Sequence, residues 1–150
     1  MTATNHVVTG VVIGLIVVNP WLALPLALVS HFAMDALPHY GDRYNPPAAF
    51  RRLKLMLPFD MLLAFMVLVL IILTHPDHWP VAVAGGVLAA SPDLGSIPLF
   101  VRYLRSGKIR RSTTWFHRFH TCLQWGERLW GAWIELSWFA VFGSLLLARL

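Results

Sequence analysis

Charged residues are scarce in this 150-residue chain: Asp, Glu, Lys and Arg make up 13% of it, whereas 57% is hydrophobic and the mean hydropathy is +0.63. That composition nearly excludes a small water-soluble domain, which needs more charge. The single cysteine, Cys122, excludes an intrachain disulfide framework. Polar low-complexity tracts are missing too, which excludes a disordered chain. The class that fits is a small polytopic membrane protein.

Several enzyme signatures are also missing from the sequence. It contains no His-Glu-x-x-His motif of zinc proteases, no Gly-x-Ser-x-Gly nucleophile elbow and no Gly-x-x-x-x-Gly-Lys phosphate loop. Seven histidines are too few for the repeated motifs of membrane di-iron hydroxylases. Haem ligation by span histidines is disfavoured because such sites lack clustered carboxylates.

Apolar segments bounded by proline predict an all-α fold in one transmembrane domain. About 20 apolar residues span a bilayer as a helix, and proline ends such a helix because it has no backbone N–H to donate. Five spans are predicted: Ala3 to Val18, Trp21 to Leu37, Pro58 to Thr74, Trp79 to Ala90 and Glu127 to Leu150. The first span lacks the basic start of a secretory signal, so we expect it to be retained.

The basic residues are placed asymmetrically. Eleven of the twelve Lys and Arg lie between spans two and three, between spans four and five, or just inside span five. The positive-inside rule therefore predicts an inner-membrane protein with a cytoplasmic N-terminus and an outer C-terminus. Two basic, amphipathic stretches, Ala48 to Leu57 and Ile97 to Arg105, are predicted to be interfacial helices on that side. Nucleic-acid binding accounts less well for these charges.

Eight histidine and aspartate residues are predicted to meet at the cytoplasmic ends of the spans, although they come from five places in the chain. Ionisable residues near a bilayer are costly, which makes them candidates for function. The predicted metal ligands are His6, His31, Asp35, His39, Asp60, Asp93, His117 and His120.

The spacing of these residues suits metal binding. His31 and Asp35 lie one helical turn apart on one face, and Pro38 ends the helix so that His39 can fold back. Imidazole and carboxylate ligands without thiolate favour zinc or another first-row divalent metal in a hydrolytic site. Eight ligands exceed what one tetrahedral zinc needs, so two or three ions are expected, with Asp35 as the bridging ligand.

Several ionisable residues also fit roles that need no metal. His6 alone fits a structural histidine equally well, and Asp60 and Asp93 could be helix N-terminal acids or partners of arginines. A second polar cluster, His75-Pro76-Asp77-His78, fits a short wet loop on the opposite side. Glu135 could cap a polar cavity, pair with another subunit or be protonated.

Four motifs occur along the chain: Asn5-His6, His31-x-x-x-Asp35-x-x-x-His39 with Pro38, Pro92-Asp93, and His117-x-x-His120-Thr121. They resemble the scattered ligands of the bacterial membrane-bound metal-dependent hydrolases. That family is distantly similar to zinc-dependent phospholipase C and the fungal zinc nucleases. In those enzymes a His-x-x-x-Asp helix motif followed by Pro and His helps to build a three-zinc phosphodiesterase site. The resemblance implies that His31, Asp35 and His39 play the same ligand roles here, and that His6 is a further ligand.

The predicted function is hydrolysis of a phosphate ester or pyrophosphate at the lipid headgroup level by a metal-activated water. Asp60 or Asp93 is predicted to act as general base, Arg118 as phosphate clamp and Arg43 as a weaker clamp. A divalent-metal transporter or metal-binding membrane protein is the alternative, followed by a non-catalytic membrane scaffold. Each of these is compatible with a homo-oligomer.

Overall fold

The computed structural model describes residues 1–42, 46–108 and 114–150, and nearly all of them are helical. Two 3₁₀ helices, Ser91–Ser96 and Gln124–Gly126, and two parallel strands, β1 (His39–Tyr40) and β2 (Glu127–Arg128), complete the described chain. The α-helices are α1 (Ala3–Ile16), α2 (Pro20–Ala36), α3 (Pro46–Thr74), α4 (Trp79–Ala90), α5 (Ile97–Ser106), α6 (Trp115–Leu123) and α7 (Gly131–Leu147). The prediction of an all-α fold is confirmed.

Two helical stretches of the described chain are long and apolar enough to cross a membrane. They are Pro47–Thr74, and Trp79–Ser106, which joins α4, a 3₁₀ helix and α5. The helices Ala3–Ile16 and Gly131–Leu147 are apolar but shorter. The prediction of five spans is therefore not confirmed.

The start of the third predicted span is wrong. The predicted interfacial helix from Ala48 to Leu57 continues through Pro58 without a break, so both segments form the single helix α3. Pro58 removes one hydrogen bond, the one to the carbonyl of the exposed Lys54, and the bonds on either side maintain the helix. One proline is therefore not sufficient to end a long apolar helix.

The start of the last predicted span is also wrong. Glu127 and Arg128 do not begin the helix, because their backbones pair with His39 and Tyr40 to form the two-stranded sheet. Helix α7 begins at Gly131, where an added Cβ would lie 2.2 Å from the carbonyl carbon of His39. The close approach of β1 to α7 thus requires glycine at this position.

Helix α1 lies at the centre of the bundle and contacts α2, α3, α4 and α7. Its tightest contact is with α4, because glycine lets the two backbones touch: a Cβ on Gly10 would lie 2.3 Å from the carbonyl oxygen of Gly85. One turn later, a Cβ on Gly14 would lie 2.5 Å from the Cα of Ala82. This packing fixes the position of His6, which lies one turn before Gly10 on α1.

Candidate metal centre

Four side chains from three parts of the chain meet at one end of the bundle. His31 and Asp35 come from the last turns of α2, Asp93 from the 3₁₀ helix after α4, and His120 from α6. One ligand atom from each of the four lies within 4.8 Å of all the others, and the group could hold a metal ion. We call these four residues the metal group.

The distances within the metal group are comparable to those between the ligands of one bound metal ion. Nε2 of His31 lies 3.0 Å from Nε2 of His120, 3.4 Å from Oδ2 of Asp35 and 3.9 Å from Oδ1 of Asp93. Nε2 of His120 lies 2.8 Å from Oδ2 of Asp35 and 3.7 Å from Oδ1 of Asp93. Ligand atoms about 2.1 Å from a tetrahedral zinc lie about 3.4 Å from one another, and the measured distances fall on both sides of that value.

The hydrogen bonding of His31 leaves one ring nitrogen free to bind a cation. Its Nδ1–H donates to the carbonyl oxygen of Ala89 over 2.7 Å, so in the neutral ring Nε2 carries a lone pair. That lone pair faces Nε2 of His120 and two carboxylate oxygens. A cation among them would replace the hydrogen-bond contacts of His120 Nε2 with Asp35 and His31, and the carbonyl of Ala89 would fix the His31 ring, as partners of metal-bound histidines do.

Asp35 faces histidines through both of its carboxylate oxygens. Oδ2 faces His31 and His120 and accepts a hydrogen bond from Nε2 of Gln124 over 3.3 Å. Oδ1 lies 3.2 Å from Nε2 of His6 and accepts a hydrogen bond from the amino group of Met1. Asp35 is fully buried and links the metal group to α1.

His6 is buried beside the metal group but does not belong to it. Its ring stacks on that of His31 with centroids 4.1 Å apart, and its Nε2 contacts Asp35. Its Nδ1 is buried and has no hydrogen-bond partner among the described residues. The structure thus brings His6 to the site and leaves one of its nitrogens unsatisfied.

Asp60 and Glu135 bind the N-terminal end of α1. The carboxylate of Asp60, on α3, accepts hydrogen bonds from the backbone N–H groups of Ala3 and Thr4 and from the hydroxyl of Thr4. Glu135, on α7, accepts from the backbone N–H groups of Thr2 and Tyr40. The first N–H groups of a helix have no partner within it, so both acids serve as caps from other helices.

The other predicted site residues that the structure describes do not belong to the metal group. Nδ1–H of the buried His39 donates to the carbonyl oxygen of Leu37, and burial, together with the charged amino group of Met1, lowers the pKa of His39. Partial burial and the neighbouring His120 lower the pKa of His117. Arg118 is exposed on α6, and Arg43 lies outside the described residues.

The loop between α3 and α4 shows no metal cluster among its described residues. His75, Asp77 and His78 are all exposed, and both histidines have a positive φ, 48° and 64°. The edge of the His75 ring packs on Trp79 with centroids 5.0 Å apart.

Sequence reasoning missed three partners of the metal group: the carbonyl of Ala89, the side chain of Gln124 and the amino group of Met1. Gln124 was predictable from its spacing, because a residue four positions after His120 lies on the same face of a helix that continues beyond α6. The other two are backbone groups, which no side-chain pattern reveals.

No protein-family model, curated protein or solved structure matches this chain. The function of this protein is therefore inferred from the geometry of the site and the chemistry of its residues.

Proposed function

We propose that this protein is a membrane-embedded, divalent-metal-dependent hydrolase that cleaves a phosphate ester or pyrophosphate at the level of the lipid headgroups. The observation that carries the proposal is the meeting of four ligand atoms, from His31, Asp35, Asp93 and His120, within 4.8 Å of one another. The resemblance of these motifs to the membrane-bound metal-dependent hydrolases points to the same reaction class.

The chemistry of the donors favours zinc and hydrolysis. Two imidazoles and two carboxylates without a thiolate are ligands typical of hydrolytic zinc sites. A bound divalent cation supplies a Lewis acid that lowers the pKa of water and neutralises charge on phosphate oxygens.

Asp93 gives access to the metal group. Its side chain is 32% exposed, whereas those of His31 and Asp35 are fully buried, so water or substrate reaches the group from the Asp93 side. Oδ1 of Asp93 is the oxygen that faces His31 and His120, so we assign the general-base role to the other carboxylate oxygen of Asp93. Asp60 is less suitable, because its carboxylate already accepts hydrogen bonds from α1. Arg118, two residues before His120 on α6, is the proposed phosphate clamp.

The outer surface of the helices supports a membrane location. Within Pro47–Thr74, only 11% of an 18-residue apolar segment is buried in the protein. Phe59, Phe65 and Leu73 on α3 are more than 60% exposed. Contiguous apolar surface of this kind requires a lipid or protein partner. The positive-inside bias predicted from the basic residues supports a cytoplasmic position for the metal group.

The test compares Asp35→Asn with a matched control, Asp77→Asn, which makes the same change in the exposed loop between α3 and α4. Purified protein is analysed for zinc, manganese and iron, and phosphate release is measured from phospholipids and lipid pyrophosphates. We expect the metal affinity of Asp35→Asn to be at least about tenfold lower than that of wild type. Mutation of a residue that only hydrogen-bonds to a metal ligand already lowers metal affinity by about 10–100-fold. Phosphate release should fall with it, and Asp77→Asn should retain both.

Two outcomes would overturn the proposal. Equal metal content in wild type and Asp35→Asn would remove the metal group as the binding site. Retained metal without hydrolysis of any phosphate ester would favour the divalent-metal transporter or metal-binding protein instead, and flux of the metal into vesicles would separate those two.

A further inference from the structure

Helix α5 is amphipathic, and none of its residues is buried. Ile97, Phe100, Val101 and Leu104 follow the i, i+3, i+4, i+7 spacing of one helix face. Arg102 lies on the other side of the helix, and Arg105 lies at the edge of the apolar face. Ile97 and Leu104 are 48% and 47% exposed, so this apolar face is not covered by the described part of the protein.

Helix α6 presents a similar surface. The rings of Trp115 and Phe119, one turn apart, stack with centroids 5.6 Å apart and are 76% and 41% exposed. Arg118 beside them is also exposed. On another side of the same helix, His120 is buried in the metal group. One short helix therefore connects an exposed aromatic surface with the candidate site.

This part of the chain carries charge of one sign only. Residues 94–126 contain six Lys or Arg and no Asp or Glu, although two of the six, Arg110 and Arg111, lie outside the described residues. Within the described ranges, Arg102, Arg105 and Arg118 form no ion pair with a carboxylate. The surface thus combines uncompensated positive charge with exposed apolar and aromatic side chains.

An anionic bilayer surface is the partner that satisfies both features at once. Helices of this kind lie in the plane of the headgroups, with apolar side chains at the acyl boundary and basic residues on lipid phosphates. A nucleic acid would match the charge but would leave side chains such as Ile97 and Leu104 in water. The ring of Phe116 lies against Gly95, which ties α6 to the 3₁₀ helix that carries Asp93.

We propose that α5 and α6 together form a docking surface for anionic phospholipid headgroups beside the exposed edge of the metal group. Arg102 and Arg105 bind the lipid phosphates, while Leu104, Trp115 and Phe119 enter the acyl boundary. This inference rests on the membrane location proposed above but not on hydrolysis.

The native Cys122 provides a probe of this surface. It is the single cysteine of the chain, is exposed, and lies seven residues after Trp115 on α6, so it shares that helix face. Full-length protein carrying a spin label on Cys122 is placed in lipid nanodiscs of phosphatidylcholine alone or with phosphatidylglycerol. Collision rates with oxygen and with an uncharged nickel chelate then report how deeply the label is immersed, without bias from membrane charge.

We expect phosphatidylglycerol to move the label into the lipid, and high salt to reverse the effect. A basic residue near an anionic surface favours association about fivefold, so Arg102→Glu with Arg105→Glu should lower the ratio of immersed to water-exposed label more than about tenfold. Arg149→Glu, the same charge reversal beyond α7, should leave the ratio unchanged. Both variants should keep wild-type metal content.

The proposal is overturned if the label depth is the same in both lipid compositions, or if the Arg102→Glu, Arg105→Glu variant shows the same label depth as wild type. Dipolar coupling between labels, unaffected by lipid charge, would show instead that a second copy covers the surface. Metal analysis of the same samples separates this inference from the proposed function. Lipid-dependent label depth in wild-type protein that binds no metal would support the docking surface and contradict the proposed hydrolase, whereas lipid-dependent depth in metal-free Asp35→Asn would agree with both.

Discussion

Asp35 holds the metal group together because its two carboxylate oxygens face in different directions. Oδ2 contacts His31 and His120, and Oδ1 contacts His6 and the amino group of Met1. A buried carboxylate is costly unless it is paired, and here the pairing crosses from α2 to α1 and α6. Asp35 is therefore the residue through which His6, His31 and His120 are brought together.

His39 predicts a pH dependence of stability. An unfolded histidine binds a proton near pH 6.5, but in the fold burial, together with the amino group of Met1, lowers the pKa of His39. Between the two pKa values the unfolded chain binds more protons, so stability falls as the pH falls from 7.5 to 5.5. We expect metal-free His39→Gln, which can still donate to the carbonyl of Leu37, to lose less thermal stability over this range than metal-free wild type. An unchanged pH slope would show that His39 is not the group responsible.

At the scale of elements, the N-terminus of α1 is held by acids from two other helices. This arrangement gives Asp60 a role that differs from metal binding, and the two roles predict different results. Asp60→Asn removes the charge at the helix N-terminus and replaces a hydrogen-bond acceptor with a donor, so we expect it to lower the free energy of unfolding by about 1–2 kcal/mol. Its metal content should equal that of wild type. Loss of metal from a protein of unchanged stability would make Asp60 a ligand after all.

The contact between α1 and α4 predicts a strong effect of one methyl group. A Cβ on Gly10 would lie 2.3 Å from the carbonyl oxygen of Gly85, so Gly10→Ala forces the two helices apart. We expect a loss of about 1–3 kcal/mol in unfolding free energy, measured by melting in detergent. The matched control is Gly143→Ala on α7, where an added Cβ meets nothing within 4 Å. Equal melting temperatures for the two variants would contradict the close packing of α1 on α4.

The elements also show which parts of the site a sequence can predict. His31 and Asp35 were predictable as partners because their spacing is a local property of one helix. The contribution of α6 through His120, and not through His117, depends on how that helix is rotated against α2, which is a tertiary property. The caps on α1 were not predictable, because the bonded residues lie far apart in sequence. Asp60 accepts from the N–H group of Thr4, 56 residues away, and Glu135 accepts from that of Thr2, 133 residues away. The continuity of α3 through Pro58 was not predictable from the proline alone, because it depends on the helical hydrogen bonds on either side.

At the scale of the whole molecule, the proposed orientation places the loop between α3 and α4 opposite the basic helices α5 and α6. A cysteine introduced at the exposed Asp77 in a Cys122→Ser background should react with a membrane-impermeant maleimide added to intact cells. The native Cys122 should react only after the membrane is opened. Equal labelling of the two positions in intact cells would contradict the orientation predicted from the basic residues.

Zinc K-edge X-ray absorption can show whether His31, Asp35, Asp93 and His120 together hold a divalent cation. Full-length protein is loaded with one equivalent of zinc, and the nearest shell around the metal is measured. We predict a shell of nitrogen and oxygen at about 2.0–2.1 Å with the outer-ring scattering of imidazole and no sulfur. His120→Phe should reduce the imidazole scattering, whereas His75→Phe should leave it unchanged. A sulfur shell, or a spectrum that does not change in His120→Phe, would contradict metal binding by these four residues.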